Sequence, residues 1–161
     1  MIMANNEYRK LPVGIQSFNV IREEGYLYVD KTDIIWNLAN KGRQYNFLIR
    51  PRRFGKSVLV DTLQAYFEGR KDLFEGLKIM ELEKDWKQYP VIRLDMSRGG
   101  ATADEVKAYL DRTFDVYEQL YGIHIKPTDS LGNRFDLIIK TAYKQTGLKV
   151  AILIDEYDSP L

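Results

Sequence analysis

Three short apolar runs in the sequence predict β-strands. Asn46–Arg50, with Phe47, Leu48 and Ile49 at its centre, is too short for a helix and favours a buried strand. In Pro90–Met96 the later positions alternate between apolar and polar, which is typical of a strand nearer an edge. Lys149–Asp155 contains the continuous apolar run Val150–Ile154, so we expect a central strand that is covered on both faces.

Apolar residues at helical spacing predict helices between these strands. Thr102 to Glu105 has the pattern of a capping box, and Thr32 or Asp30 is the expected cap of an earlier helix. The predicted helices start near Ile34, Ser57, Val106 and Leu131, and glycines at Gly42, Gly69, Gly122 and Gly147 are expected to end them.

The segment Arg50–Ser57 joins the first predicted strand to the helix that follows it. It ends in Gly-Lys-Ser, the end of the phosphate-binding pattern G-x-x-x-x-G-K-[ST]. Gly55 lets the backbone approach phosphates closely, because it has no Cβ. Lys56 would place its ammonium on the β- and γ-phosphates, and Ser57 would give its hydroxyl to Mg²⁺.

The start of this segment departs from the general pattern. Arg50 replaces the first glycine, and Pro51 has no N–H and favours an extended residue before it. The residues expected to contact a nucleotide are Arg52, Arg53, Phe54, Gly55, Lys56, Ser57 and Val58. The alternative interpretation is a basic turn before an ordinary surface helix.

An acidic pair, Asp155–Glu156, ends the most apolar predicted strand. Ligand sites in open parallel sheets lie at the carboxyl ends of strands. Asp155 would bind Mg²⁺, usually through water, and Glu156 would polarise the attacking water as a general base. Alternatively, the two acids only mark where a strand meets solvent. The acidic pair and the Gly-Lys-Ser motif explain each other, which favours a nucleotide site.

Composition narrows the possible classes of protein. Of the 161 residues, 24 are Lys or Arg and 23 are Asp or Glu, a balance that argues against a general nucleic-acid coat. The absence of cysteine excludes disulfides and thiolate metal sites, and favours a cytoplasmic location. No apolar run is long enough to cross a membrane. The lone His124 is given no role.

At these residues the chain resembles the AAA-ATPase-like family of bacterial phosphate-loop proteins. The resemblance covers Leu11 to Leu161, and its marks are LPVGIQSF, YVDKT, FLIRPRRFGKS, YFEG, YPVIRLDMS and LIDEYDSPL. It implies that ATP and Mg²⁺ are the cofactors and that the segment Tyr28–Asp33 lies near the adenine. It also implies a longer parent protein, which often ends in a region resembling restriction-endonuclease-like nucleases. Arg93 and Arg98 are arginine-finger candidates by residue type alone.

We therefore expect an α/β fold, a three-layer phosphate-loop NTPase with a mostly parallel sheet that is incomplete at its C-terminal end. Residues 1–44 would be a lead-in with a helix, and residues 45–161 the ATPase core. The expected function is Mg-ATP binding, with hydrolysis in the longer parent and little turnover by this chain alone. The alternatives are a nucleotide-controlled switch that gates a partner effector, and a catalytically silent interaction domain.

Overall fold

The computed structural model describes residues 9–49, 54–125 and 129–158. These residues form two compact units. The first contains the described residues up to Tyr66 together with residues 70–86, and the second contains residues 67–69 and the described residues from Lys87 onward. The helices and the small parallel sheet agree with the predicted α/β class. In the part of the chain so described, no helix has the length and apolarity needed to cross a membrane. A domain boundary between residues 44 and 45 stays a prediction.

The first unit is built from helices. They are α1 (Phe18–Glu23), α2 (Thr32–Lys41), α3 (Lys56–Phe67, up to Tyr66 in this unit), a 3₁₀ turn (Lys71–Phe74) and α4 (Ile79–Leu82). The predicted helix before Gly42 is confirmed as α2. The prediction of Thr32 or Asp30 as its cap is wrong, because the N-cap residue is Lys31 and has no side-chain cap hydrogen bond. Asp30 lies one residue earlier, and its Oδ1 accepts a hydrogen bond from the Thr32 N–H at 2.9 Å. Thr32 itself is the first residue of α2.

Aromatic rings form much of the core of the first unit. The Phe74 ring lies 5.0 Å from Phe18, 6.5 Å from Tyr66 and 5.2 Å from Trp86, measured between ring centroids. A hydrogen bond of 2.7 Å from the Phe18 N–H to Asp61 also ties the start of α1 to α3. These contacts hold α3 in place within the unit.

The buried strand predicted at Asn46–Arg50 is wrong for residues 46–49, and Arg50 lies outside the described residues. Residues 46–49 belong to no strand, and the side chains of Phe47 and Ile49 are 71% and 80% exposed. The two strands that the described residues contain pair with each other. An apolar run becomes a strand only when a neighbouring strand supplies its ladder of hydrogen bonds, so local pattern alone misled the prediction.

The second unit places two parallel strands against two long helices. Its elements are β1 (Val91–Asp95), a 3₁₀ turn (Met96–Gly99), α5 (Ala103–Tyr121), α6 (Leu131–Thr146) and β2 (Ala151–Asp155). The register of β1 and β2 runs from Val91 beside Ala151 to Asp95 beside Asp155. The predicted capping box of Thr102 and Glu105 is present. Gly122 and Gly147 end α5 and α6 in left-handed conformations, as predicted.

The core of the second unit covers one strand better than the other. Ile92 and Leu94 of β1 pack with Phe114 and Ile138, from α5 and α6, in one buried cluster. Their register partners on β2, Ile152 and Ile154, are 40% and 49% exposed. The prediction that Val150–Ile154 is covered on both faces is therefore wrong. Helices α5 and α6 therefore cover the face formed by these four side chains mainly at β1 and leave the β2 part more exposed.

Candidate functional site

The start of α3 carries the end of the predicted phosphate-binding segment. Gly55 has φ 71°, a left-handed conformation that side chains rarely adopt, and its carbonyl accepts from the Leu59 N–H at 3.0 Å. Lys56 and Ser57 are the first two residues of α3. The sequence thus predicted the start of this helix correctly to within one residue. The glycine is needed here for its backbone conformation, because an added Cβ would meet nothing within 4 Å.

Electrostatics at this helix end favour a negative ligand. The first N–H groups of an α-helix have no partner within the helix, and the helix dipole makes that end positive. The first turn of α3 holds no acidic residue, and Lys56 adds a full positive charge. Lys56 and Ser57 are half-buried, whereas Phe54 is 65% exposed. The predicted contacts Arg52 and Arg53 lie outside the described residues.

The segment Tyr28–Asp33 packs into the same unit. The ring centroids of Tyr28 and Phe18 lie 5.1 Å apart. Burial raises the pKa of Tyr28, and a hydrogen bond with Thr62 of α3 partly offsets that rise. Asp30 Oδ2 accepts from the Lys78 N–H at 2.7 Å, which ties the segment to the start of α4. A position near the adenine stays a prediction.

The acidic pair lies where β2 ends in the second unit. Asp155 is 6% exposed, and its Oδ1 accepts from the Glu156 N–H at 3.0 Å. Glu156 has φ 49°, so the backbone turns sharply directly after the strand. The chain therefore holds the Asp155 carboxylate at the carboxyl edge of the sheet through its own next peptide group.

The oxygen chemistry of this edge fits Mg²⁺. The described residues contain no group of three or more His, Cys, Asp or Glu side chains that could hold a metal ion by themselves. Mg²⁺ commonly binds through one or two carboxylates, with waters and substrate phosphates completing its shell. Asp155 is the residue that would hold the ion at this edge.

The register of the sheet brings a second aspartate to the same edge. Asp95 ends β1 beside Asp155, and its Oδ1 accepts from the N–H and the hydroxyl of Ser97 at 3.2 and 2.6 Å. Its Oδ2 forms an ion pair with Arg98 Nε at 3.2 Å. Sequence reasoning gave Asp95 no role. The sequence did contain a signal, because Asp95 lies near the end of the predicted strand Pro90–Met96. The carboxyl ends of parallel strands meet at one edge of a sheet, so an acid at that position could have been expected near Asp155.

Comparison with known proteins decides the family. The profile of a family described as Predicted AAA-ATPase matches residues 12–161. The chain belongs to this AAA-ATPase-like family. It is also 40% identical over 157 residues to a protein of Azotobacter chroococcum mcd 1, described as an uncharacterized protein in the vnfD 5' region. That match covers 95% of this chain and 30% of the relative, so the chain spans about a third of the relative's length. No solved structure matches the chain.

Membership confirms the resemblance and indicates nucleotide binding at the level of the family. Within this AAA-ATPase-like chain, the predicted site residues fall into two groups. Gly55, Lys56 and Ser57 lie together at the start of α3 in the first unit, and Asp155 and Glu156 lie together after β2 in the second. The first group is suited to hold phosphate, and the second offers oxygen ligands and a carboxylate base.

Proposed function

We propose that this chain binds ATP with Mg²⁺ through the start of α3. One observation carries the proposal: Gly55 adopts the left-handed conformation directly before a helix whose first turn holds Lys56, Ser57 and no acid. In this arrangement the first N–H groups of α3 and the Lys56 ammonium hold the β- and γ-phosphates. The Ser57 hydroxyl binds Mg²⁺. Arg52 and Arg53 add positive charge, Phe54 lies against the nucleotide, and the Val58 N–H completes the set of backbone donors.

The acidic pair supplies the second part of the proposal. Asp155 holds Mg²⁺ through water, and Glu156 polarises the water that attacks the γ-phosphate. Phosphoryl transfer is catalysed mostly by positioning and electrostatics, so Glu156 must be held in a fixed position relative to the water that it polarises. We place hydrolysis in a longer protein, since the chain covers only 30% of its Azotobacter relative.

Calorimetric titration with ATP and Mg²⁺ tests the binding. Lys56→Ala removes the ammonium from the phosphates, and we expect at least a tenfold loss of affinity, about 1.4 kcal/mol or more. The matched control is Lys71→Ala, which removes the same charge from an exposed residue of the 3₁₀ turn and should leave affinity unchanged. Equal ATP affinity in the wild type and Lys56→Ala would contradict the proposal.

A phosphate-release assay on a longer protein containing this chain tests the hydrolysis. Glu156→Gln keeps the size of the side chain and removes the base, so we expect ATP binding to persist and phosphate release to fall by at least a hundredfold, in the range of about 10²–10⁴ for general-base catalysis. Lys107→Gln, an exposed change on α5, is the control. ATP binding with equally slow release in all three proteins would favour a nucleotide-controlled switch over an ATPase.

A further inference from the structure

The ion pair of Asp95 and Arg98 lies beside the residue assigned to the metal. Asp95 and Asp155 are register partners at the last position of the parallel pair. Neighbouring strands lie about 4.8 Å apart, and side chains at paired positions point to the same face of a sheet. Asp155 is 6% exposed, so few waters screen its charge from that of its neighbour.

Asp95 is poorly placed to be a metal ligand itself. Its Oδ1 accepts hydrogen bonds from the N–H and the hydroxyl of Ser97, and its Oδ2 forms the ion pair with Arg98. The Tyr109 hydroxyl accepts from the Asp95 N–H at 2.8 Å, which fixes the end of β1 to α5. Asp95 is therefore held in one place, with its charge opposed by that of Arg98.

We propose that Asp95 and Arg98 are positioning residues that set the divalent-cation affinity of Asp155 through their charges, without touching the ion. The Asp95 carboxylate strengthens the local negative potential and favours a cation, and the Arg98 guanidinium weakens that potential. Two charges at such short range interact by enough to change binding severalfold even in a high dielectric. This inference rests on the proposed role of Asp155 in holding Mg²⁺.

An electrostatic role predicts that Asp95→Asn and Arg98→Gln change the dissociation constant for the cation in opposite directions, which a structural role does not. Asp95→Asn leaves Arg98 unopposed, so we expect the dissociation constant for the cation to rise by about three- to tenfold. Arg98→Gln leaves Asp95 unopposed, and the constant should fall by about two- to threefold. The double variant should return close to the wild-type value. A purely structural role of the ion pair would weaken cation binding in both single variants.

The experiment titrates Mn²⁺ alone, without nucleotide, into each protein and follows free Mn²⁺ by electron paramagnetic resonance. When the titration is repeated at high KCl, the change in the dissociation constant should become smaller in both single variants, because salt screens exposed charges. Asp104→Asn, an exposed change in the same unit, should leave the constant unchanged. Thermal unfolding of Arg98→Gln should match the wild type, because the Arg98 side chain is 75% exposed.

Three results would overturn the inference: unchanged Mn²⁺ affinity in both single variants, a change of the same sign in both, or no Mn²⁺ binding by the wild type. The last result would also overturn the metal role of Asp155 in the proposed function. The first two would leave that role intact. The Lys56→Ala titration would still test ATP binding by itself.

Discussion

Arg134 of α6 and Glu118 of α5 form a buried ion pair with two hydrogen bonds, each 2.8 Å long. Each side chain is 6% exposed. The Arg134 guanidinium also binds Asp111 and Asp115 of α5, at 2.7 Å in both cases. Hydrogen bonding to Glu118 raises the pKa of Arg134, so the guanidinium stays charged. One cation therefore joins three carboxylates of α5 to α6.

Removing Arg134 should destabilise the second unit strongly, because Glu118 would keep a buried charge without its partner. We expect Arg134→Met to lower the free energy of unfolding by about 3 kcal/mol. Adding Glu118→Leu should recover much of that loss, since apolar pairs can replace buried ion pairs. The control Lys140→Met breaks the exposed pair with Asp136 and should cost less than about 1 kcal/mol in urea denaturation. Equal losses from Arg134→Met and Lys140→Met would contradict the assignment.

Asp30 should stabilise the first unit in a pH-dependent way. Burial alone would raise the pKa of Asp30, but hydrogen bonds from the Thr32 and Lys78 N–H groups outweigh it and lower that pKa. The stabilisation is therefore present above the unfolded pKa of about 4, and is lost as the pH falls through the lower folded value. We expect Asp30→Asn to cost about 1–2 kcal/mol at pH 7. The difference from wild type should shrink below about pH 4 in denaturation curves.

The control for this prediction is Asp104→Asn, an exposed acid in the first turn of α5. It should change the free energy of unfolding by less than about 1 kcal/mol. A difference between wild type and Asp30→Asn that stays constant from pH 7 to pH 3 would show that charge is not what Asp30 contributes.

Gly55 should be required for its backbone conformation. Alanine at φ 71° is strained, and we expect Gly55→Ala to lower the free energy of unfolding by about 1–2 kcal/mol, or to change the loop and weaken ATP binding. The matched control is Gly132→Ala in the first turn of α6. Gly132 does not have a left-handed φ. A Cβ added there would lie 3.9 Å from Ser130 Oγ, which is ordinary van der Waals contact. That change should stabilise by up to about 1 kcal/mol. Similar effects of the two substitutions on stability and ATP titrations would contradict the argument.

Leu94 and Ile154 are register partners with different surroundings, and mutation should reveal the difference. Leu94 is 6% exposed and packs in the core cluster, whereas Ile154 is 49% exposed. We expect Leu94→Ala to cost about 2–5 kcal/mol and Ile154→Ala to cost less than about 1 kcal/mol in urea denaturation. A cost for Ile154→Ala as large as that for Leu94→Ala would restore the sequence-based prediction that β2 is covered on both faces.

Local interactions made several elements predictable from the sequence alone. The capping box of Thr102 and Glu105 and the ending glycines Gly122 and Gly147 place α5 and α6 correctly, because caps involve residues within one turn of each other. The start of α3 was predictable for the same reason. The motif at Gly55 and Lys56 combines a backbone conformation with a helix terminus, and both are local.

The tertiary structure determined the features that depend on contacts between residues distant in the chain. It left residues 46–49 outside any strand, exposed Ile152 and Ile154, and set Asp95 beside Asp155. It also buried Glu118 with Arg134, although Asp111, Asp115 and Glu118 recur at the spacing of one helix face and so gave a signal. Strand pairing and ion-pair burial gain their free energy from contacts between separate elements. A local pattern can mark candidate residues, as the spacing on α5 does, but it does not determine which residues of another element they contact.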